Sequence, residues 1–149
     1  MKAPSPIQLA WLVPITLFIH QVEEYANHFP AWYSKWLGAS LSDGDFLAIN
    51  LPALLLVILF AATYRHSRNN LLLMALGTLL FLNGTAHLLI SIFSLAYTPG
   101  TASGVLLFLP LGAYIFQEIA PQLSEKGRIQ AIVLGIVILL AIGSIARFI

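Results

Sequence analysis

The chain has no cysteine, which excludes disulfides, thiolate metal sites, iron–sulfur clusters and thiol nucleophiles, and leaves redox compartment uninformative. Charge is equally scarce. Only 9% of the 149 residues are Asp, Glu, Lys or Arg, and the net charge of +1 gives no surface suited to nucleic acid or to an acidic partner. Any metal ion would have to be held by His, carboxylate or carbonyl groups. Against these absences stands a hydrophobic content of 59% with a mean hydropathy of +0.89, far outside the soluble globular range. The solvent for most of such a chain is lipid.

A bilayer crossing needs about 20 apolar residues at 1.5 Å rise each. Five runs fit, at residues 7–26, 46–64, 71–96, 103–120 and 129–148. The fold class expected is all-α: one transmembrane helical domain over residues 1–149, with five spans joined by short connections that make neighbours antiparallel. The segment after the first span, FPAWYSKWLGASLSDGD, is too polar to cross. Its Trp32 and Trp36 are four apart and share a helical face, so it reads as a short helix in the outer interface, either an aromatic anchor or a substrate-admitting lid. No small-x-small cleavage site follows the first run, which is therefore read as a retained helix. Lys2, Arg65, Arg68, Lys126 and Arg128 fall on one side, against Lys35 and Arg147 on the other. That bias predicts a cytoplasmic N-terminus.

Polar residues inside these runs are few and patterned. In the first run HQVEEYANH puts His20, Glu23, Glu24, Asn27 and His28 on one helical face, with Thr16 one turn earlier. A lone acidic residue near a helix end can snorkel to water, but a whole intramembrane stripe is costly and points to a partner or cavity. In the third run NGTAH places Asn83 and His87 four apart, with Ser91 and Ser94 continuing the row. If both helices run outward, His20 and His87 lie about 20 and 24 Å from their starts, close to one level in the outer half of the bilayer. Asn50, near the outer start of the second run, should reach that level too.

Two imidazoles and two carboxylates at one depth suit two kinds of chemistry. His20, Glu24 and His87 could ligate a divalent metal, zinc above others, with one position open for water whose pKa falls towards neutrality. Glu23 would then be the free acid or base, and Asn83 a group holding an imidazole or a substrate oxygen. Alternatively the same residues could run proton chemistry without metal. The turn YTPGT, from Tyr97 to Thr101, presets a tight bend through Pro99 and Gly100, and could fold Tyr97 or Thr98 over the mouth of the site. Glu118 and His66 belong to the opposite end and to a solvated turn.

Together HQVEE, NGTAH and YTPG resemble the HXXEE family of bacterial membrane proteins, over roughly the first two thirds of the chain. The resemblance implies that His20, Glu23, Glu24, His87, Tyr97, Pro99 and Gly100 are motif positions, and that the chain sits in a bacterial inner membrane. That family is uncharacterised but suspected of enzymatic activity, and no reaction, substrate or cofactor comes with the resemblance. The leading expectation is a membrane-embedded, metal-dependent hydrolase of a lipid-like or apolar substrate, with Glu23, Glu24 and Tyr97 catalytic and Asn50, Asn83 and Thr98 on the substrate. Alternatives are a metal-free isomerase or cyclase, a proton-coupled small transporter and a structural accessory subunit. The absence of a duplicated half argues against the common transporter plans, and the accessory reading leaves the His/Glu stripe without a purpose.

Overall fold

The computed structural model describes residues 4–38 and 40–148, and every element among them is helical. Helix α1, Pro6–Ala26, opens on a capping box in which the Ser5 hydroxyl and the Gln8 side chain each accept from the other's backbone N–H, with Pro6 in its first turn. Helix α2 is Phe29–Leu37, α3 is Asp43–Ser67, and α4 is Asn70–Ser94. A continuous helix α5, Thr101–Gln122, and a final α6, Glu125–Phe148, complete the chain. Ser42 with Asp45 caps α3 in the same reciprocal way, and the Asn69 side chain caps α4. His28, Arg68 and Leu95 take the left-handed conformation at the ends of α1, α3 and α4, which turns the chain sharply with short connections.

Among the described residues four helices, α3 to α6, are long and apolar enough to cross a membrane. Five spans were expected. Helix α1 falls short on composition, because Gln8, His20, Gln21, Glu23 and Glu24 all lie within its 21 residues. The expected short helix after it is present as α2, with its interfacial location a separate matter. Lys2, one of the residues on which the orientation expectation rests, and the Arg147 side chain lie outside the described set.

Helix α4 is the centre of the bundle. It packs against both α5 and α6, while α1 packs against α3. Small residues permit the close approach. A Cβ at Gly84 would fall 2.6 Å from the Gly104 carbonyl oxygen, one at Gly112 would fall 2.6 Å from that of Gly77, and one at Gly135 would fall 2.5 Å from that of Ala75. The two α4–α5 glycine pairs are separated by seven residues on α4, Gly77 to Gly84, and by eight on α5, Gly104 to Gly112. A π-helical turn over Gly104–Phe108, in which the Leu109 N–H donates to the Gly104 carbonyl, absorbs the extra residue. Both stretches then complete about two turns and stay in register. Pro110, which has no N–H to donate, follows immediately.

Candidate metal centre

The polar face of α1 and the polar row of α4 meet. His20 and Glu24, one turn apart on α1, and His87 on α4 are buried at 3%, 7% and 6% exposure. The Glu24 Oε1 lies 3.4 Å from the His20 Nε2 and 3.4 Å from the His87 Nε2. The imidazole rings stand edge to face with centroids 5.0 Å apart. One ligand atom from each of the three residues can be chosen so that all lie within 4.8 Å of one another, so this buried group could hold a metal ion.

The distances are compatible with that use. A charge-assisted N–H to carboxylate hydrogen bond is about 2.7–2.9 Å long, whereas tetrahedral zinc with bonds of about 2.0–2.1 Å sets its ligand atoms about 3.3 Å apart. The Glu24 contacts match the second spacing. Correspondingly, the His20 Nε2 is buried with no hydrogen-bond partner. Its other nitrogen is held: the Ser103 hydroxyl on α5 lies 2.8 Å from the His20 Nδ1. The Nδ1 of His87 is buried and unpaired, as are the Asn83 Oδ1 and the Thr98 Oγ1. Were Nε2 directed at an ion, the His87 Nδ1 would carry the proton, and Asn83, one turn away on the same helix, has an unpaired acceptor of the matching kind.

The YTPG turn closes this site. The Ser91 hydroxyl of α4 accepts from the Thr98 N–H at 2.9 Å and meets the Thr101 hydroxyl at 2.7 Å, which ties the turn to the helix bearing His87. Gly100, at φ 92°, lies directly on the cluster. A Cβ there would be 2.8 Å from the Cε1 of His20, 2.8 Å from the Cε1 of His87 and 3.1 Å from the Cγ of Glu24. Only glycine fits both that backbone and that space. The Phe108 ring, 4.3 Å from the His20 ring, and the Phe29 ring, 6.2 Å from that of His87, add apolar cover.

The adjacent glutamates have different surroundings. While Glu24 faces the histidines, Glu23 reaches the start of α5. It accepts from the Ala102 N–H at 3.0 Å, the Ser103 N–H at 2.6 Å and the Tyr97 hydroxyl. A carboxylate there satisfies free N–H groups at a helix N-terminus. Burial, and then the bond to Glu23, hold the Tyr97 phenol above its usual range.

Of the residues singled out in the sequence, His20, Glu24 and His87 converge. Tyr97 and Glu23 pair with each other, and Thr98 is buried within the turn. Asn50 is engaged elsewhere: its carbonyl and side-chain oxygens accept from the Gln21 amide at 3.2 and 3.1 Å on the α1–α3 seam. His28 caps the start of α2 and is not one of the three residues of the group. Sequence reasoning missed Ser103 and Phe108 as contacts of His20. Their one signal is the small polar stretch Thr101–Gly104 directly after YTPG, which a tight turn must return toward α1 and α4.

Four helices of spanning length and composition are consistent with an integral membrane protein, here one with a His/Glu/His group in its interior. Within that class the chain belongs to the family described as "Protein of unknown function with HXXEE motif", which matches residues 11–115, more than half of its length. No curated protein and no solved structure matches it.

Proposed function

We propose that this chain is a membrane-embedded, zinc-dependent enzyme that hydrolyses a lipid-like or apolar substrate at the site formed by His20, Glu24 and His87. The observation that carries the reading is the pair of 3.4 Å separations from one Glu24 oxygen to the two Nε2 atoms, longer than the usual charge-assisted hydrogen bond and close to the spacing of atoms that ligate one ion. Imidazole with carboxylate suits zinc among plausible ions. When bound, such an ion polarises a carbonyl and lowers the pKa of water. The chain's own contribution is to fix the ligands: Ser103 holds the His20 ring, and Gly100 with Phe29 and Phe108 covers the site. Ionisable groups inside a membrane segment are costly to keep, which supports a working role.

The reading includes a bacterial inner-membrane topology of five crossings. Helix α1, with 21 residues, is about 32 Å long, enough to span. Its polar face is turned inward on α3, α4 and α5. Helix α2 then lies in the outer interface, and the N-terminus is cytoplasmic by the Lys/Arg distribution.

Elemental analysis of detergent-purified protein supplied with zinc tests the site. Wild type should carry one zinc per chain, and His87→Gln, which can still hydrogen-bond, should lose it. Stoichiometric zinc in the variant, or none in wild type, overturns the metal reading in favour of metal-free acid/base chemistry by the same residues.

A further inference from the structure

Between α1 and the start of α5 runs an open groove of about 460 Å³. Its walls are Ile19, Val22 and Ala26 on one side and Leu106 and Leu107 on the other, and Glu23, Tyr97, Ala102 and Ser103 complete its lining. Ile19, Val22 and Leu106 are exposed, Leu106 at 71%, so the groove opens on the side of the bundle where lipid would lie. Leu106 and Leu107 belong to the π turn, which presents them where a regular helix would place different residues. Ser103 connects this groove to the buried cluster, because it lines the groove while its hydroxyl meets the His20 Nδ1.

The polar groups of the groove select a head group. A carboxylate offers about four acceptor sites, and Glu23 has filled three, from Tyr97, Ala102 and Ser103. The Tyr97 oxygen, having donated, keeps only acceptor capacity. The Ser103 hydroxyl is occupied by His20. Among the described residues, no Lys or Arg lines the groove. What is left free is acceptors beside a negative charge, which repels phosphate and carboxylate heads and receives a donor. An ammonium head would have to shed its hydration within the membrane, a cost that a hydroxyl avoids.

We propose that this groove binds a single-chain lipid alcohol, with its hydrocarbon along Ile19, Val22, Leu106 and Leu107 and its hydroxyl donating to Glu23 beside Tyr97. The proposal rests on the apolar-substrate reading above and names the substrate class, an ester of such an alcohol being the species that hydrolysis would release it from. The seat of the alcohol does not itself require the metal.

Photolabelling tests it. Full-length protein in phosphatidylcholine nanodiscs is irradiated with a long-chain primary alcohol carrying a mid-chain diazirine, and separately with the matching carboxylic acid at a pH where it is ionised. Labelled residues are mapped by mass spectrometry. The alcohol should label α1 and the π turn about tenfold more than the acid does, the ratio expected from one hydrogen bond to a charged group. Leu106→Trp and Val22→Trp, each filling the groove from a lipid-exposed position, should each remove that preference and leave labelling of α3 unchanged. Equal labelling by both probes, or labelling no denser than on the exposed α3 residues Leu55, Leu56 and Leu59, means ordinary lipid contact and overturns the proposal. The His87→Gln variant separates the two readings. It should lose zinc and keep the selective labelling. Selective labelling of a wild type that holds no zinc would leave the groove standing and the metal reading fallen.

Discussion

The Ser103 hydroxyl lies 2.8 Å from the His20 Nδ1 and joins residues 83 positions apart in the chain. The contact fixes the ring rotation of His20 and assigns Nδ1 to α5, so that Nε2 faces Glu24. It depends in turn on the π turn after Ser103, which keeps the glycine pairs of α4 and α5 in register while the first turn of α5 faces α1. Partners of this kind orient a metal-binding imidazole and set its tautomer.

Ser103→Ala should therefore weaken zinc binding by about 10- to 100-fold without abolishing it, as losses of such supporting hydrogen bonds do. Competition against a chromogenic chelator measures this, and Ser103→Thr, which keeps the hydroxyl, should recover most of the affinity. Wild-type affinity in the alanine variant would show that Phe108 and the helix backbone alone hold the ring.

Gly100 is under a double constraint, from its φ of 92° and from the imidazole carbons that a Cβ would meet at 2.8 Å. Gly100→Ala should destabilise the protein by about 1–3 kcal/mol through overpacking, with a further contribution from the left-handed backbone. Since the atoms in the way belong to His20, His87 and Glu24, the variant should also lose zinc affinity, unlike an equally destabilising change in the α4–α6 seam such as Gly135→Ala. Parallel unfolding titrations and metal analysis of the two variants distinguish damage to the site from general loosening.

Topology is checked by single cysteines, which the native chain does not contain. Introduced at Ser67, the last residue of α3, or at Asn69, just before α4, they should react with membrane-permeant reagents and resist impermeant ones in intact cells. A cysteine at Ser40 should show the opposite pattern. Labelling of the Ser67 position from outside would invert the assignment of the N-terminus to the cytoplasm.

Much of this arrangement was legible in the sequence, because intramembrane polar residues are rare enough that each stands out. The one-face spacing of His20 and Glu24, and the shared depth expected for His20 and His87, anticipated that these three side chains meet in one buried group. For Asn50 depth says nothing about azimuth, and the structure engages its oxygens with the Gln21 amide on the α1–α3 seam. The fourth run was expected as an ordinary short helix from residue 103. Its π turn was not visible, because an inserted residue shows only against the register of the partner glycines on α4. The contact of Ser103 with His20 follows from that turn and was hidden with it.

The two glutamates of the HxxEE motif offer the sharpest division of labour. Glu24 is buried between both imidazoles, and Glu23 clamps the YTPG turn and the first turn of α5 through Tyr97, Ala102 and Ser103. Glu24→Gln removes the ligating charge and should reduce zinc to background, with the fold largely kept because an amide fills the same space. Glu23→Gln retains an acceptor for one backbone N–H but replaces the other oxygen with a donor facing a donor. It should destabilise the protein by about 1–3 kcal/mol, the cost of leaving a buried N–H unpaired. Its zinc stoichiometry should stay near one, with affinity lowered only through Ser103. Tyr97→Phe, which removes a single hydroxyl from the same clamp, should reproduce a smaller part of that destabilisation, about 0.5–1.5 kcal/mol. If Glu23→Gln instead loses zinc entirely while unfolding at the wild-type denaturant concentration, Glu23 is itself a ligand in the loaded protein, and the assignment of the clamp to structure falls.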